Sequence, residues 1–92
     1  MEDFEGDNEG YLKWIAAHPN GYVLNLGVRP YTDPNPRINQ MLHRATCQHI
    51  RNARTNAGPT WKKACSLDKQ ELLRYGEQRE GQVAAFCYTC RP

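Results

Sequence analysis

Residues 43–47, His-Arg-Ala-Thr-Cys, and residues 87–90, Cys-Tyr-Thr-Cys, decide how this chain is held together. The first stretch has three residues between a histidine and a cysteine, and the second has two residues between two cysteines. Together they supply one imidazole and three thiols, the ligands of a closed tetrahedral zinc site. A chain of 92 residues builds a limited core, so a metal would add substantially to its stability. We therefore predict one bound Zn²⁺, with His43, Cys47, Cys87 and Cys90 as its ligands.

Three residues are candidates for the fourth zinc ligand: His43, His49 and Cys65. The Cys-x₂-Cys pair is the most secure part of the set, because a tight turn aims both thiolates at one ion, and Cys47 comes next. His43 precedes Cys47 by four residues, so that one turn places both on the same side. His49 would face the same way as Cys47 in an extended chain. Cys65 lies in a predicted strand, where a free cysteine can pack as a small apolar side chain. We favour His43 over both.

The composition is that of one small domain. Hydrophobic residues make up 39% and charged residues 24% of the chain, and no apolar run reaches membrane-spanning length. The N-terminal residues 1–5 are acidic, unlike a signal or transit peptide, so we expect a cytoplasmic protein. There, four cysteines are more readily metal ligands than disulfides, although their even number leaves a disulfide framework as the alternative.

The pattern of apolar and turn residues predicts an α+β fold. We expect a disordered N-terminus (1–6) and one zinc-stabilised domain (7–92) with a three- or four-stranded antiparallel sheet. The first helix is predicted to begin at the N-cap Asp7 and to turn Leu12, Ile15 and Ala16 towards the core. A short second helix is predicted from Ser66, as its cap, to Gly76. Predicted strands cover 22–26, 38–43 and 60–65, with loops at 27–36 and 48–59, a polar link at 77–81 and an apolar stretch at 83–86.

Charge is distributed unevenly along the chain, although the net charge is only +2. Residues 34–67 contain six basic residues and no acid, whereas residues 1–33 contain six acids and two bases. A segment of this charge favours the binding of a polyanion such as nucleic acid. The candidate phosphate contacts are Arg44, Arg51, Arg54, Lys62 and Lys63. Trp61 and Tyr88 could stack on bases if they are exposed. The alternative is a solvated basic face that the acidic N-terminus partly neutralises.

The order of these features is similar to that of a known family. The pair His43-x₃-Cys47, the strand at 61–65, the helix at 66–76 and the ending Cys-Tyr-Thr-Cys-Arg-Pro (87–92) resemble the zinc-binding domain of Ada-type DNA-repair methyltransferases. The resemblance covers about half of the chain, and the segment between the ligand pairs is longer here. In that family the first ligand cysteine accepts a methyl group from a DNA phosphotriester. His43 stands at that position, so the resemblance implies the fold and a nucleic-acid surface without methyl transfer.

These observations predict a non-catalytic zinc module that binds nucleic acid, expected to be DNA, through its basic central segment. No nucleophile triad, phosphate-binding glycine loop or His-Glu-x-x-His helix is present. One alternative is a protein-interaction adaptor with a structural zinc. A second is a small nuclease that uses His49, Arg51 and Arg54. We expect neither a membrane nor a small-molecule substrate as a partner.

Overall fold

The computed structural model describes residues 1–27, 40–51 and 61–92. These ranges contain five strands and three helices, in the order β1 (Glu2–Glu5), α1 (Asn8–Ala17), β2 (Tyr22–Gly27), β3 (Gln40–Arg44), α2 (Gln48–Arg51), β4 (Trp61–Ser66), α3 (Lys69–Glu80) and β5 (Ala85–Phe86). The α+β prediction is confirmed. None of the described helices is long and apolar enough to cross a membrane.

All five strands belong to one sheet, in the order β1-β4-β2-β3-β5. The neighbouring strands are antiparallel, except that β5 runs parallel to β3. The sheet is therefore larger than the predicted three or four strands and is not wholly antiparallel. The parallel pair has a structural consequence, because it sets the end of β5 beside the end of β3. The first predicted ligand pair begins in the last residues of β3, and the second follows β5 directly.

The acidic N-terminus is the clearest correction to the sequence prediction. Residues 1–6 were expected to be disordered, but β1 pairs with β4 from Glu2 opposite Cys65 to Glu5 opposite Lys62. Phe4 is the one large apolar residue of the strand, and it is buried. A single apolar residue shows no alternation in the sequence. The strand forms because its partner supplies backbone hydrogen bonds and basic side chains.

The first helix confirms its predicted cap and corrects its predicted face. The Asp7 carboxylate accepts a hydrogen bond from the backbone N–H of Gly10, and the helix begins at the next residue, as expected. Its buried residues are Tyr11, Trp14 and Ile15, whereas Leu12 and Ala16 are exposed. Aromatic rings remove more apolar area from water than leucine or alanine does. The two aromatic residues therefore determine which side of the helix meets the sheet.

The last helix is longer than predicted. Its N-cap is Asp68, not Ser66, and it continues through Gly76 to Glu80, with Gly81 as the C-cap at φ +74. Gly76 is buried inside the helix, where a Cβ would overlap the Gln40 side chain and lie 2.9 Å from Leu24 Cδ2. This glycine therefore permits close packing on the sheet, and the predicted polar link at 77–81 is mostly helical.

The core has two parts, one on each face of the sheet. Strand side chains alternate between the faces, so Val23 joins one hydrophobic cluster and its neighbour Leu24 the other. The first cluster contains α1 residues together with Cys47 and Cys87. The second contains Leu72 of α3. The helix α3 thus covers one face, while α1 and the cysteine-bearing segments cover the other.

The residues at 48–51 form the short helix α2, where an irregular loop was expected. The loop predicted at 27–36 lies almost wholly outside the described residues.

Candidate metal centre

The first ligand pair lies at the end of β3. His43 is buried in that strand, and the chain turns after Arg44 so that the Cys47 N–H donates to the Arg44 carbonyl at 3.0 Å. The Cys47 carbonyl then accepts the N–H groups of Ile50 and Arg51, each at 2.9 Å. The strand end and the first turn of α2 thereby hold His43 and Cys47 on one side, as their spacing predicted.

The second pair follows β5. The N–H of Cys87 donates to the Leu42 carbonyl of β3 at 3.0 Å, which continues the parallel pairing to the first cysteine. A turn follows, closed by the Arg91 N–H donating to the Cys87 carbonyl at 3.1 Å. The Arg44 N–H donates to Cys90 Sγ at 3.2 Å. Backbone hydrogen bonds thus join the two ligand-bearing segments directly.

The structure brings four ligand atoms together. One atom each from His43, Cys47, Cys87 and Cys90 lies within 4.8 Å of all the others. The sulfurs of Cys47 and Cys87 are 3.9 Å apart. Two sulfurs bound to one tetrahedral zinc at about 2.3 Å lie roughly 3.8 Å from each other, whereas a disulfide bond measures about 2.05 Å. All four cysteines of the chain are free thiols, so the four ligand atoms could hold a metal ion.

The electrostatic environment favours the metal-binding forms of two of the four residues. Burial, together with charge repulsion from Lys63 and His49, lowers the pKa of His43 to about 4. Its Nδ1 is buried and has no hydrogen-bond partner among the residues that the structure describes. Burial of Cys87 opposes its ionisation, but the backbone N–H groups of Cys90 and Thr89 hold the pKa of this thiol below its usual value. Zinc binds the neutral form of the imidazole and the thiolate form of cysteine, whereas burial and the neighbouring Cys47 and Cys87 raise the pKa of the Cys90 thiol to about 12.

The two competing ligands lie elsewhere. His49 Nε2 is paired with Thr89 Oγ1 at 2.9 Å, and its ring centroid lies 6.5 Å from that of His43. Cys65 is fully buried in the first hydrophobic cluster, and burial raises the pKa of its thiol to about 12. Of the three candidates for the fourth position, only His43 joins the described cluster.

The basic residues divide into two groups. Lys62 and Lys63, predicted as phosphate contacts, are both buried in β4, so this part of the prediction is wrong. The physical reason is pairing inside the sheet: Lys62 Nζ lies 2.7 Å from Asp3 Oδ2, and Lys63 Nζ donates to Asn25 Oδ1 at 2.6 Å. Arg54 and the side chain of Trp61 lie outside the described residues.

The remaining predicted arginines are exposed beside the cluster. Arg44 donates from Nε to the Cys90 carbonyl at 3.0 Å and from Nη2 to the Arg91 carbonyl at 3.1 Å. Arg51 ends α2, four residues after Cys47. Arg91 itself is exposed and was not singled out from the sequence, because the balanced charge of residues 68–92 concealed it. Its position in the Cys-x₂-Cys-x-Pro ending was the available signal.

The chain has no significant match among models of protein families, curated proteins or solved structures. The resemblance of residues 43–92 to Ada-type zinc domains therefore stays a prediction.

Proposed function

We propose that this protein is a non-catalytic module, built around one structural zinc ion, that binds nucleic acid at the face carrying the metal. Three thiolates and one imidazole are a typical zinc ligand set. The four protein ligands fill a tetrahedral coordination shell and leave no open position for a water or a substrate. This argues for a structural ion and against the nuclease alternative, whose histidine, His49, is engaged with Thr89.

The zinc would link elements that are weakly joined without it. Strand β5 has only two residues, and the two ligand-bearing segments are 40 residues apart in the chain. Closing so long a loop costs conformational entropy, although this cost grows slowly with length. Metal binding offsets the cost, because such sites form only in the folded chain. The ion would therefore hold the C-terminal turn against β3 and α2.

One observation supports nucleic acid as the partner: three exposed arginines occur on the segments that bear the ligands. The backbone N–H of Arg44 donates to Cys90 Sγ, whereas the backbone N–H groups of Arg51 and Arg91 donate to the carbonyls of Cys47 and Cys87. Their backbones are thus held by the same turns that hold the ligands. Guanidinium groups on a rigid scaffold suit phosphate oxygens. The proposed surface replaces the predicted segment 34–67, because Lys62 and Lys63 are buried.

Titration of labelled single- and double-stranded oligonucleotides at low salt tests this function. We expect binding that weakens steeply as salt rises, since each phosphate contact releases counterions. Arg51→Glu and Arg91→Glu should each weaken binding about tenfold or more while zinc content is unchanged. Lys13→Glu is the matched control, because Lys13 is an exposed cation on α1 that pairs with Glu9. No binding of either oligonucleotide, or equal losses in all three variants, would reject the proposal.

A protein-interaction adaptor is the second candidate. Strand β5 lies at the edge of the described sheet; its residue Phe86 is 41% exposed, and Val83 just before the strand is 58% exposed. An exposed edge strand with apolar side chains can accept a strand from another chain. The titration above separates the two functions, since this edge offers no basic side chain of its own.

A further inference from the structure

A cavity opens beside the metal cluster. It has a volume of about 270 Å³ and is lined by Met41, His43, His49, Cys87, Tyr88 and Thr89. Pockets that enclose a drug-sized ligand measure about 300–1,000 Å³. This cavity is slightly smaller than that range and therefore suits one flat ring system, rather than an extended ligand or a whole nucleotide.

The walls of the cavity offer flat and polarisable groups. The Tyr88 side chain is 77% exposed and belongs to the turn between the two C-terminal cysteines. The rings of His43 and His49 lie 6.5 Å apart and are tilted by 38°. Met41 adds a thioether, which makes favourable contacts with ring edges. Groups of this kind stack on or pack against any heterocycle with little dependence on its identity.

The walls also contain one polar pair. The hydroxyl of Thr89 and Nε2 of His49 lie 2.9 Å apart. A hydroxyl can both donate and accept, so Thr89 can turn to the edge of a bound ring. The walls are held in place from behind, since Met41 lies in β3 between Asn25 of β2 and Ala85 of β5.

We propose that this cavity accepts one unpaired nucleobase, so that the module binds single-stranded or locally unpaired nucleic acid in preference to intact duplex. The inference rests on the proposed nucleic-acid function and deepens it. Arg91 follows Thr89 by two residues in the C-terminal turn. A phosphate next to the base would meet this arginine while the ring of the base stacks on Tyr88. A base inside a duplex cannot reach the cavity without leaving the stack.

The test compares three labelled probes of equal length at low salt: a single strand, the same strand with abasic sites, and the duplex. We expect the wild-type protein to bind the intact single strand about tenfold more tightly than either of the others, in keeping with the free energy of stacking one base. Equal affinity for the intact and abasic strands would overturn the cavity proposal and leave the proposed function standing. Absence of binding to every probe would instead reject both.

Single substitutions test whether Tyr88 in the cavity is the residue that stacks on the base. Tyr88→Ala should weaken binding of the intact strand about tenfold, with little further loss on the abasic strand, whereas Tyr88→Phe should keep the preference. Phe86→Ala is the matched control, because Phe86 is an exposed aromatic residue of β5 outside the cavity. A loss of preference in Phe86→Ala, or its full retention in Tyr88→Ala, would refute the assignment. Zinc content verifies that each variant is folded, and the wild-type comparison of probes decides the question if Tyr88→Ala is not.

Discussion

The ammonium group of Lys62 on β4 lies 2.7 Å from the carboxylate of Asp3 on β1. The same carboxylate accepts a hydrogen bond from the Tyr75 hydroxyl of α3 at 3.3 Å. Burial disfavours the charge of Lys62, but its hydrogen bonds to Asp3 and Tyr75 hold its pKa above the usual value. One carboxylate from the N-terminus thus joins an edge strand, a central strand and a helix, and it removes Lys62 from the surface available to a polyanion.

Asp3→Asn should therefore destabilise the fold without affecting the proposed nucleic-acid binding. The substitution leaves the buried ammonium of Lys62 unpaired, but Asp3 is partly exposed, so we expect a loss of about 1–2 kcal/mol. Glu9→Gln is the control, because the Glu9–Lys13 pair is almost fully exposed and should contribute less than about 0.5 kcal/mol. Denaturant unfolding of the zinc-loaded protein measures both. Equal losses in the two variants would contradict the role assigned to Asp3.

The metal cluster predicts one zinc per chain and a specific ranking of variants. His43→Ala and Cys47→Ser should each lose zinc and unfold under conditions in which the wild-type protein is stable, because metal binding is coupled to folding. Chelator treatment of the wild-type protein should do the same. Elemental analysis together with circular dichroism provides the measurement.

Cys65→Ser and His49→Ala are the controls for that ranking. Both should retain zinc, although Cys65→Ser should cost about 1–3 kcal/mol because it buries a hydroxyl in an apolar cluster. Zinc release by Cys65→Ser, with retention by His43→Ala, would reverse the ligand assignment.

Lys63 should make stability depend on pH in the alkaline range. The residue is 1% exposed, and burial lowers its pKa from 10.5 to about 8. Between these values the unfolded chain binds more protons than the folded chain, so the free energy of unfolding rises with pH. From pH 7.5 to 9.5 we expect wild type to gain about 1–2 kcal/mol relative to Lys63→Met.

The comparison with Lys63→Met is needed because a second group titrates nearby. Burial raises the pKa of Cys65 to about 12, so the unfolded chain loses this thiol proton first and stability falls above about pH 9. Both proteins carry Cys65, so the part of its titration that does not depend on Lys63 cancels in the difference between them. A difference that stays constant with pH would show that Lys63 keeps its ordinary pKa.

Gly76→Ala sets two effects against each other. Alanine favours a helix interior by about 1 kcal/mol over glycine, but here its Cβ would overlap the Gln40 side chain and lie 2.9 Å from Leu24 Cδ2. Overpacking of this kind costs about 1–3 kcal/mol, so we expect net destabilisation. Gln78→Ala, at an exposed position of the same helix, should be neutral or slightly stabilising. Thermal unfolding of both variants distinguishes the outcomes, and a stabilised Gly76→Ala would mean that Gln40 moves aside freely.

Local sequence patterns were sufficient to predict several helices and strands. Asp7 was predicted as the cap of α1 and Tyr22 as the start of β2, because a cap and a run of β-forming residues act over a few neighbouring positions. The spacing within His43-x₃-Cys47 and Cys87-x₂-Cys90 likewise showed which side chains a turn can aim together. The α+β class followed from these same short-range signals.

Local patterns could not predict which charged side chains are exposed and which are buried. Lys62 and Arg51 look equivalent in a sequence, since both are cations in a segment without acids. The partner of Lys62 lies on β1, 59 positions earlier, and only strand pairing brings Asp3 to it. The same holds for Gly76 of α3, whose neighbours Leu24 and Gln40 come from the strands β2 and β3.

The sequence by itself thus determined the ligand types, their spacing and the local elements, because each depends on residues within a few positions of one another. The tertiary structure decided that His43 and not Cys65 completes the cluster and that Lys62 and Lys63 are internal. It also decided that a cavity forms beside Tyr88. Those outcomes depend on contacts between residues tens of positions apart, which form only when β5 pairs with β3 and β1 pairs with β4.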